Sequence, residues 1–160
     1  MSVEQSGNIT PGHLAKFITS GVIGDAGPLG ASQKVLAYQQ AANFNVTTDQ
    51  PLILPITITA FQLTGIIVAN ASISLTTAQG GFYTAASKGG SVIVLASQAY
   101  SALTNANLLM QPTLTAFALT ARFSANNLTN NEIYFALTAA QGAPATADIY
   151  LVGIDLSIGS

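Results

Sequence analysis

From Phe44 onward, the sequence is a series of short stretches in which apolar and polar residues alternate. The stretch "PLILPITIT" shows this well, because every second residue from Leu52 to Ile58 is apolar. A period of two is typical of a β-strand, which points successive side chains to opposite faces. Segments rich in Gly, Asn and Pro separate about eight such stretches. Their even spacing predicts a mainly β protein, with an antiparallel, jelly-roll-like β-sandwich over residues 44–160.

Two strands in this pattern carry further information. Pro55 has no N–H to donate, so its strand is expected at a sheet edge or a bulge. The final strand, "DIYLVGIDLSI", is apolar on both faces. One face holds Tyr150, Val152, Ile154, Leu156 and Ile158, and the other holds Ile149 and Leu151 near the start of the strand.

One or two short helices are expected beside the strands. The segment "ASQKVLAYQQAAN", residues 31–43, contains good helix formers after Ser32, a possible N-cap. The segment "SQAYSALTNANLLM", residues 97–110, begins with another possible N-cap, Ser97, and Pro112 would end a helix there.

Residues 1–30 have neither the period of a strand nor that of a helix, and Gly and Pro recur at short spacing. They predict an extended N-terminal arm with turns at Pro11-Gly12, Gly21 and Gly27-Pro28. With the possible helix, the arm covers residues 1–43. Its apolar residues are Ile9, Leu14, Phe17, Ile18, Val22, Ile23 and Leu29. A segment this short cannot bury these side chains by itself, and we therefore expect it to dock on another polypeptide.

The charged fraction is only 6%, against about 25% in an average soluble domain. Such a surface is suited to close packing against other subunits, because few ions must be desolvated. The net charge is −2 and the four basic residues are scattered, so direct nucleic-acid binding is not expected. No apolar run reaches the ~20 residues of a membrane helix, so no membrane partner is expected either.

The residue types that carry most chemistry are scarce. The chain has no Cys, a single histidine, His13, and six carboxylates. A metal site needs three or four clustered ligands, and no such spacing occurs. Neither GxSxG nor a phosphate loop is present. We therefore expect no enzyme activity, no catalytic residues, no metal and no cofactor. Most of the aromatic residues are expected to be core or interface anchors rather than a sugar-binding platform.

The segment "GNITPGHLAKFITSGVIGDAG" resembles one that recurs in structural proteins of tailed bacteriophages, where "G-x-[VI]-TPGH-x-A-x-[WF]" precedes "GVI-x-DAG". The matching positions are Gly7, Ile9, Thr10 to His13, Ala15, Phe17, Gly21 to Ile23 and Asp25 to Gly27. Residues 80–90 and 145–156 also resemble pieces of such virion proteins.

The resemblance implies a virion structural protein, and the short chain favours a capsid decoration (cement) protein. Such a protein would be made in the host bacterial cytoplasm and sit on the capsid surface. It would bind the major capsid protein and copies of itself, as a dimer or trimer. The resemblance adds Pro11 and His13 to the apolar arm residues as expected contacts. A tail fibre, adaptor or receptor-binding protein is the alternative, and a small hydrolase with two facing carboxylates is a third possibility.

Overall fold

The computed structural model describes residues 4–5, 13–19, 22–28, 33–124 and 127–157. The chain divides into two compact units, Met1–Ser32 and Gln33–Ser160. The first unit has three strands: β1 (Glu4–Gln5), β2 (His13–Thr19) and β3 (Val22–Pro28). They form a small sheet of order β1-β3-β2, in which β2 and β3 are antiparallel and β1 is parallel to β3.

The second unit is a sandwich of two antiparallel sheets, which confirms the predicted fold class. Its elements are β4 (Gln33–Asn43), β5 (Gln50–Ile53), β6 (Ala60–Ala69), β7 (Gln79–Ala85), β8 (Gly89–Val94), β9 (Leu109–Met110), α1 (Ala116–Thr120), β10 (Arg122–Ser124), a 3-10 turn (Thr129–Asn131), β11 (Glu132–Ala139) and β12 (Thr146–Asp155). Sheet I has the order β10-β6-β12-β4, with β9 paired to β6, and sheet II has the order β5-β11-β7-β8.

Aromatic rings fill the middle of the core between the two sheets. The ring of Phe135 lies 4.9 Å from that of Phe44 and 5.1 Å from that of Phe82, and Phe44 meets Tyr100 edge to face at 5.1 Å. All four side chains are fully buried. Large rings in offset or edge contact supply much apolar burial per residue. Most of the aromatic residues whose side chains are described are buried, as the sequence predicted.

The helix predicted for residues 31–43 is wrong, because residues 33–43 form β4. This strand pairs with β12 from Gln33 to Asn43, and it buries Leu36 and Ala37 against the other sheet. Ala, Gln and Lys are good helix formers, but helix propensity amounts to less than ~1 kcal/mol per residue, and the pairing and burial offered by a distant strand outweigh it. Strand β4 therefore belongs to the sandwich, and the compact second unit begins at Gln33 rather than after residue 43.

The helix predicted for residues 97–110 is also wrong. The segment is a succession of turns that ends in β9, and its Asn and Thr side chains bond nearby backbone groups. Asn107 Nδ2 donates to the carbonyl of Ala102 at 2.8 Å, and Thr104 Oγ1 accepts from Asn107 N at 3.0 Å. Such local bonds compete with helical ones.

The α-helix of the described residues, α1, lies in "LTAFALTARF", residues 114–123, where the alternation of apolar and polar residues predicts a strand. Thr115 starts it as N-cap, since its Oγ1 accepts from Ala118 N at 3.2 Å.

Strand β5 is shorter than predicted. It ends at Ile53, before Pro55, and it is an edge strand of sheet II. Leu52, Leu54 and Ile58 are buried as the alternation predicts, but Ile56 is 90% exposed because the chain turns at residues 56–57.

Candidate partner-binding surfaces

The predicted arm contacts lie mostly on the small N-terminal sheet. His13, Leu14, Phe17 and Ile18 are on β2, and Val22 and Ile23 are on β3. Ile9, Pro11 and Leu29 lie outside the described residues.

The arm is more organised than the sequence predicted, because β2 and β3 pair with each other. Phe17 is the register partner of Ile23, and Thr19 that of Val22. The predicted turn at Gly21 falls between the two strands, outside the described residues, as does the one at Pro11-Gly12. No turn occurs at Gly27-Pro28, where β3 continues through Pro28. Domains shorter than ~40 residues usually need a disulfide, a metal or a partner in order to fold. The unit Met1–Ser32 is shorter than this, and docking on another polypeptide stays a prediction.

The described carboxylates are occupied by hydrogen bonds within the chain. Asp148 accepts from Ala41 N at 2.9 Å and from Asn70 Nδ2 at 2.9 Å. Asp49 accepts from the backbone of Ser87, and Glu132 accepts from the Tyr134 hydroxyl. Among the residues that the structure describes, no three His, Asp or Glu side chains are grouped in a way that could hold a metal ion. Asp49, Glu132 and Asp148 therefore each have a structural partner within the chain.

Asp155 forms an ion pair with Lys34, whose Nζ lies 2.7 Å from its Oδ2. Partial burial on its own raises the pKa of this carboxyl, but hydrogen bonds from Lys34 and Ser157 outweigh it, and the net effect lowers the pKa. The pair joins the start of β4 to the end of β12. Asp155 thus compensates the positive charge of Lys34 at this end of sheet I.

Tyr100 and Tyr134 are held as neutral phenols. Burial raises the pKa of Tyr100, whose hydroxyl donates to the carbonyl of Gly80 at 3.3 Å. The hydrogen bond to Glu132, followed by burial, raises the pKa of Tyr134. Both hydroxyls therefore stay protonated at neutral pH.

The outer face of sheet I has a group of apolar side chains on its three long strands, bordered by polar residues such as Gln33 and Thr64. We call the side chains of Val35, Tyr38, Ile67, Tyr150 and Val152 the β4–β12 face. Register places them together: Val35 lies opposite Val152, and Tyr150 lies between Tyr38 and Ile67. Val35 and Tyr38 are 54% and 47% exposed, and the rings of Tyr38 and Tyr150 stack at 4.8 Å.

This face arises because β12 is apolar on both sides. Ile149 and Leu151 point into the core and are fully buried, so Tyr150 and Val152 must point outward. The sequence predicted the two apolar sides but did not identify the outer one as a surface. Gly65, opposite Val152, leaves open space above the sheet, with no atom within 4 Å of the position a Cβ would take. A shallow groove therefore runs over Gly65, and it is lined both by apolar Val35, Ile67 and Val152 and by polar Gln33, Lys34, Thr64 and Gln111.

A second apolar surface surrounds α1. Its side chains, Val92, Leu95, Phe117 and Leu119, are exposed, and we call them the α1 patch. Thr115 ties the helix to β8, since its hydroxyl donates to the carbonyl of Val92 at 2.8 Å. The ring of Phe117 also packs edge-on against buried Phe123. The α1 patch is thus fixed to the β8 edge of sheet II.

None of the described helices is long and apolar enough to cross a membrane. No protein-family model matches the chain, and no curated protein sequence matches it.

Proposed function

We propose that this chain is a structural protein of a tailed-bacteriophage virion, a capsid decoration protein that binds the major capsid protein and stabilises the head. The observation that carries the proposal is the separate N-terminal unit, residues 1–32, which holds the segment resembling virion proteins. A small sheet of three strands with many apolar residues needs a partner surface. Residues 1–32 would supply the contact with the shell, and the sandwich would remain on its outside.

The sandwich itself supports a mechanical role. Its described carboxylates are engaged in bonds within the chain, and its polar surface is mostly uncharged Thr, Ser, Asn and Gln. Many copies, each binding weakly, stabilise an assembled shell because they bind the assembled form and not its parts.

Binding to purified particles tests the proposal. The full chain should bind heads in a number comparable to the copies of the major capsid protein. The same chain without residues 1–32 should fold, as judged by far-UV circular dichroism, but fail to bind. Binding by the truncated chain would contradict the role given to the arm.

Copy number separates head from tail. Hundreds of copies per particle support a decoration protein, while about a dozen support a tail fibre, adaptor or receptor-binding protein. Binding to host cells instead of to heads would likewise favour the tail. The β4–β12 face contains two neighbouring tyrosines, but their rings stack on each other. This arrangement occupies one ring face of each and does not favour a sugar platform.

A further inference from the structure

We propose that the edges of both sandwich sheets are closed against strand addition, so that copies of this domain can lie side by side without joining into one continuous sheet. An edge strand with free N–H and C=O groups is a template on which another extended chain can pair. Across residues 33–124 and 127–157, each sheet edge carries a covering segment, a side-chain amide, a proline or a bulge. The inference goes beyond the proposed function, because it concerns the contacts that the sandwich avoids rather than the partner that it binds.

The edge of sheet II at β8 is closed by the segment that leads into α1. Thr115 N donates to the carbonyl of Ile93 at 2.9 Å, and the Thr115 hydroxyl donates to the carbonyl of Val92. Leu114 forms a β-bridge with Val94. Helix α1 then contacts both β8 and β6, and β10 pairs with β6. The same segment therefore covers β8 and continues onto the neighbouring edge of sheet I.

Strand β10, at that edge of sheet I, is closed by a side-chain amide. In an extended strand the carbonyl of Arg122 and the N–H of Ser124 point to the same side. Asn127 bonds both groups, since its Oδ1 accepts from Ser124 N at 2.7 Å and its Nδ2 donates to the carbonyl of Arg122 at 2.9 Å. A side-chain amide offers a donor and an acceptor as a peptide group does. Asn127 therefore takes the place that a further strand would occupy.

Strand β5, at the other edge of sheet II, is closed by a proline. Leu54 N donates toward β11, to the carbonyl of Asn131 at 3.1 Å. Because N–H groups alternate in direction along a strand, those of positions 51 and 53 point away from β11. Pro51 has no N–H, so the free side of β5 lacks one of these two donors. A partner strand could not complete its ladder there.

Strand β4, at the other edge of sheet I, is closed by bulges and by a second amide. Its pairing with β12 shifts register at Leu36 and again between Gln39 and Ala42. Bulges bend an edge strand and interrupt the regular row of donors and acceptors that strand addition needs. At the end of β4, Gln50 Oε1 accepts from Asn43 N at 2.7 Å, and Gln50 Nε2 donates to the carbonyl of Asn43 at 2.8 Å. No long regular stretch of this edge is left for another strand.

The scarcity of charge gives these features their importance. Charged side chains, Lys above all, are a common protection of sheet edges. Strands β5 and β8 contain no charged residue, and the net charge of the whole chain is only −2. Electrostatic repulsion between copies is therefore weak. Proline, amide and bulge supply the protection that charge supplies in other proteins.

Opening the β5 edge tests the inference. Pro51→Thr restores an N–H on the free side of β5 and introduces a residue that favours strands. At roughly 100 µM, within the range where exposed strand edges aggregate, the full chain with this substitution should lose soluble protein to sedimenting assemblies that bind thioflavin T. The wild type should stay in solution. Pro55→Thr is the matched control, because Pro55 lies beyond the end of β5, and it should behave like the wild type.

Two double variants distinguish edge pairing from loss of stability. Ile53→Lys, added to Pro51→Thr, places a charge on the same edge strand at a side chain that is 65% exposed, and it should restore solubility. Leu95→Lys, added to Pro51→Thr, places the same charge on the α1 patch and should not. Both double variants carry Pro51→Thr and the same net charge, and their urea midpoints should agree. A difference in solubility between them then reports on the β5 edge.

A Pro51→Thr chain that stays as soluble as the wild type overturns the inference. Equal assembly of Pro55→Thr, or equal rescue by the two lysines, overturns it as well. The decoration role fails separately. A wild type that binds no particle overturns that role and leaves the closed edges intact, while a wild type that binds heads, with Pro51→Thr fully soluble, does the reverse.

Discussion

Two glycines in sheet I should respond oppositely to the same substitution. Gly153 on β12 and Gly65 on β6 both lie in long strands of this sheet. A Cβ at Gly153 would stand 2.3 Å from the backbone oxygen of Gln62 and 2.6 Å from Cδ1 of Leu36. The backbone oxygen cannot rotate away, so β12 must shift from β6. At Gly65 a Cβ meets nothing within 4 Å.

The size of each effect follows from these contacts. Gly153→Ala is an overpacking substitution against backbone and should destabilise the sandwich by about 1–3 kcal/mol. Gly65→Ala adds no clash and reduces the conformational freedom of the unfolded chain, so it should stabilise by about 0.4–1 kcal/mol. Together the two variants should differ by about 1.5–4 kcal/mol.

Urea denaturation followed by far-UV circular dichroism measures both values. The chain has no Trp, so the backbone signal is preferable to fluorescence. If the slopes of the transitions match, the shift in midpoint gives the difference in free energy of unfolding. The reasoning would be refuted if Gly153→Ala were as stable as Gly65→Ala, since the close approach of β12 to β6 would then be absent.

Three further substitutions test other parts of the sandwich. Phe135→Ala removes a fully buried ring in contact with three others and should cost about 3–5 kcal/mol, read from a urea midpoint; a cost below about 1 kcal/mol would contradict the core packing. Thr115→Ala removes the cap of α1 and should cost about 1 kcal/mol, with faster amide hydrogen exchange at Ala118 as its local sign. The lowered pKa of Asp155 means that its ion pair stabilises the fold above the ordinary value of 3.8 and that this contribution disappears as the pH falls below it. Asp155→Asn should therefore be less stable than the wild type at pH 7, by less than about 1 kcal/mol for so exposed a pair, and equal to it near pH 2; a gap that persisted in acid would show that the carboxylate charge is not its cause.

The sequence was a good guide to the strands and a poor guide to the helices, for one physical reason. Alternation is a local property, so most strands from β5 onward could be located from it. Whether residues 33–43 form a helix or a strand depends on β12, more than 100 residues away along the chain. Local propensities carry no information on that pairing. The cap at Thr115 is local, but its neighbours "AFALT" alternate well enough to predict a strand instead.

The candidate surfaces were predictable only in part. Apolar arm residues without a core of their own pointed to a partner, but the pairing of β2 with β3 was not apparent from their spacing. Both faces of β12 were seen to be apolar. Which one enters the core is decided by the sheet that packs on it, so the outward direction of Tyr150 and Val152 required the fold.

The place where the N-terminal unit joins the sandwich has a mechanical consequence. The chain leaves residue 32 directly into β4, an edge strand held to the rest of sheet I by its ladder with β12. Any tension applied through the N-terminal segment therefore reaches this ladder first, and the Lys34–Asp155 contact near its start is among the earliest to be loaded. Single-molecule pulling from the N-terminus should peel β4 before the other strands of the sandwich yield.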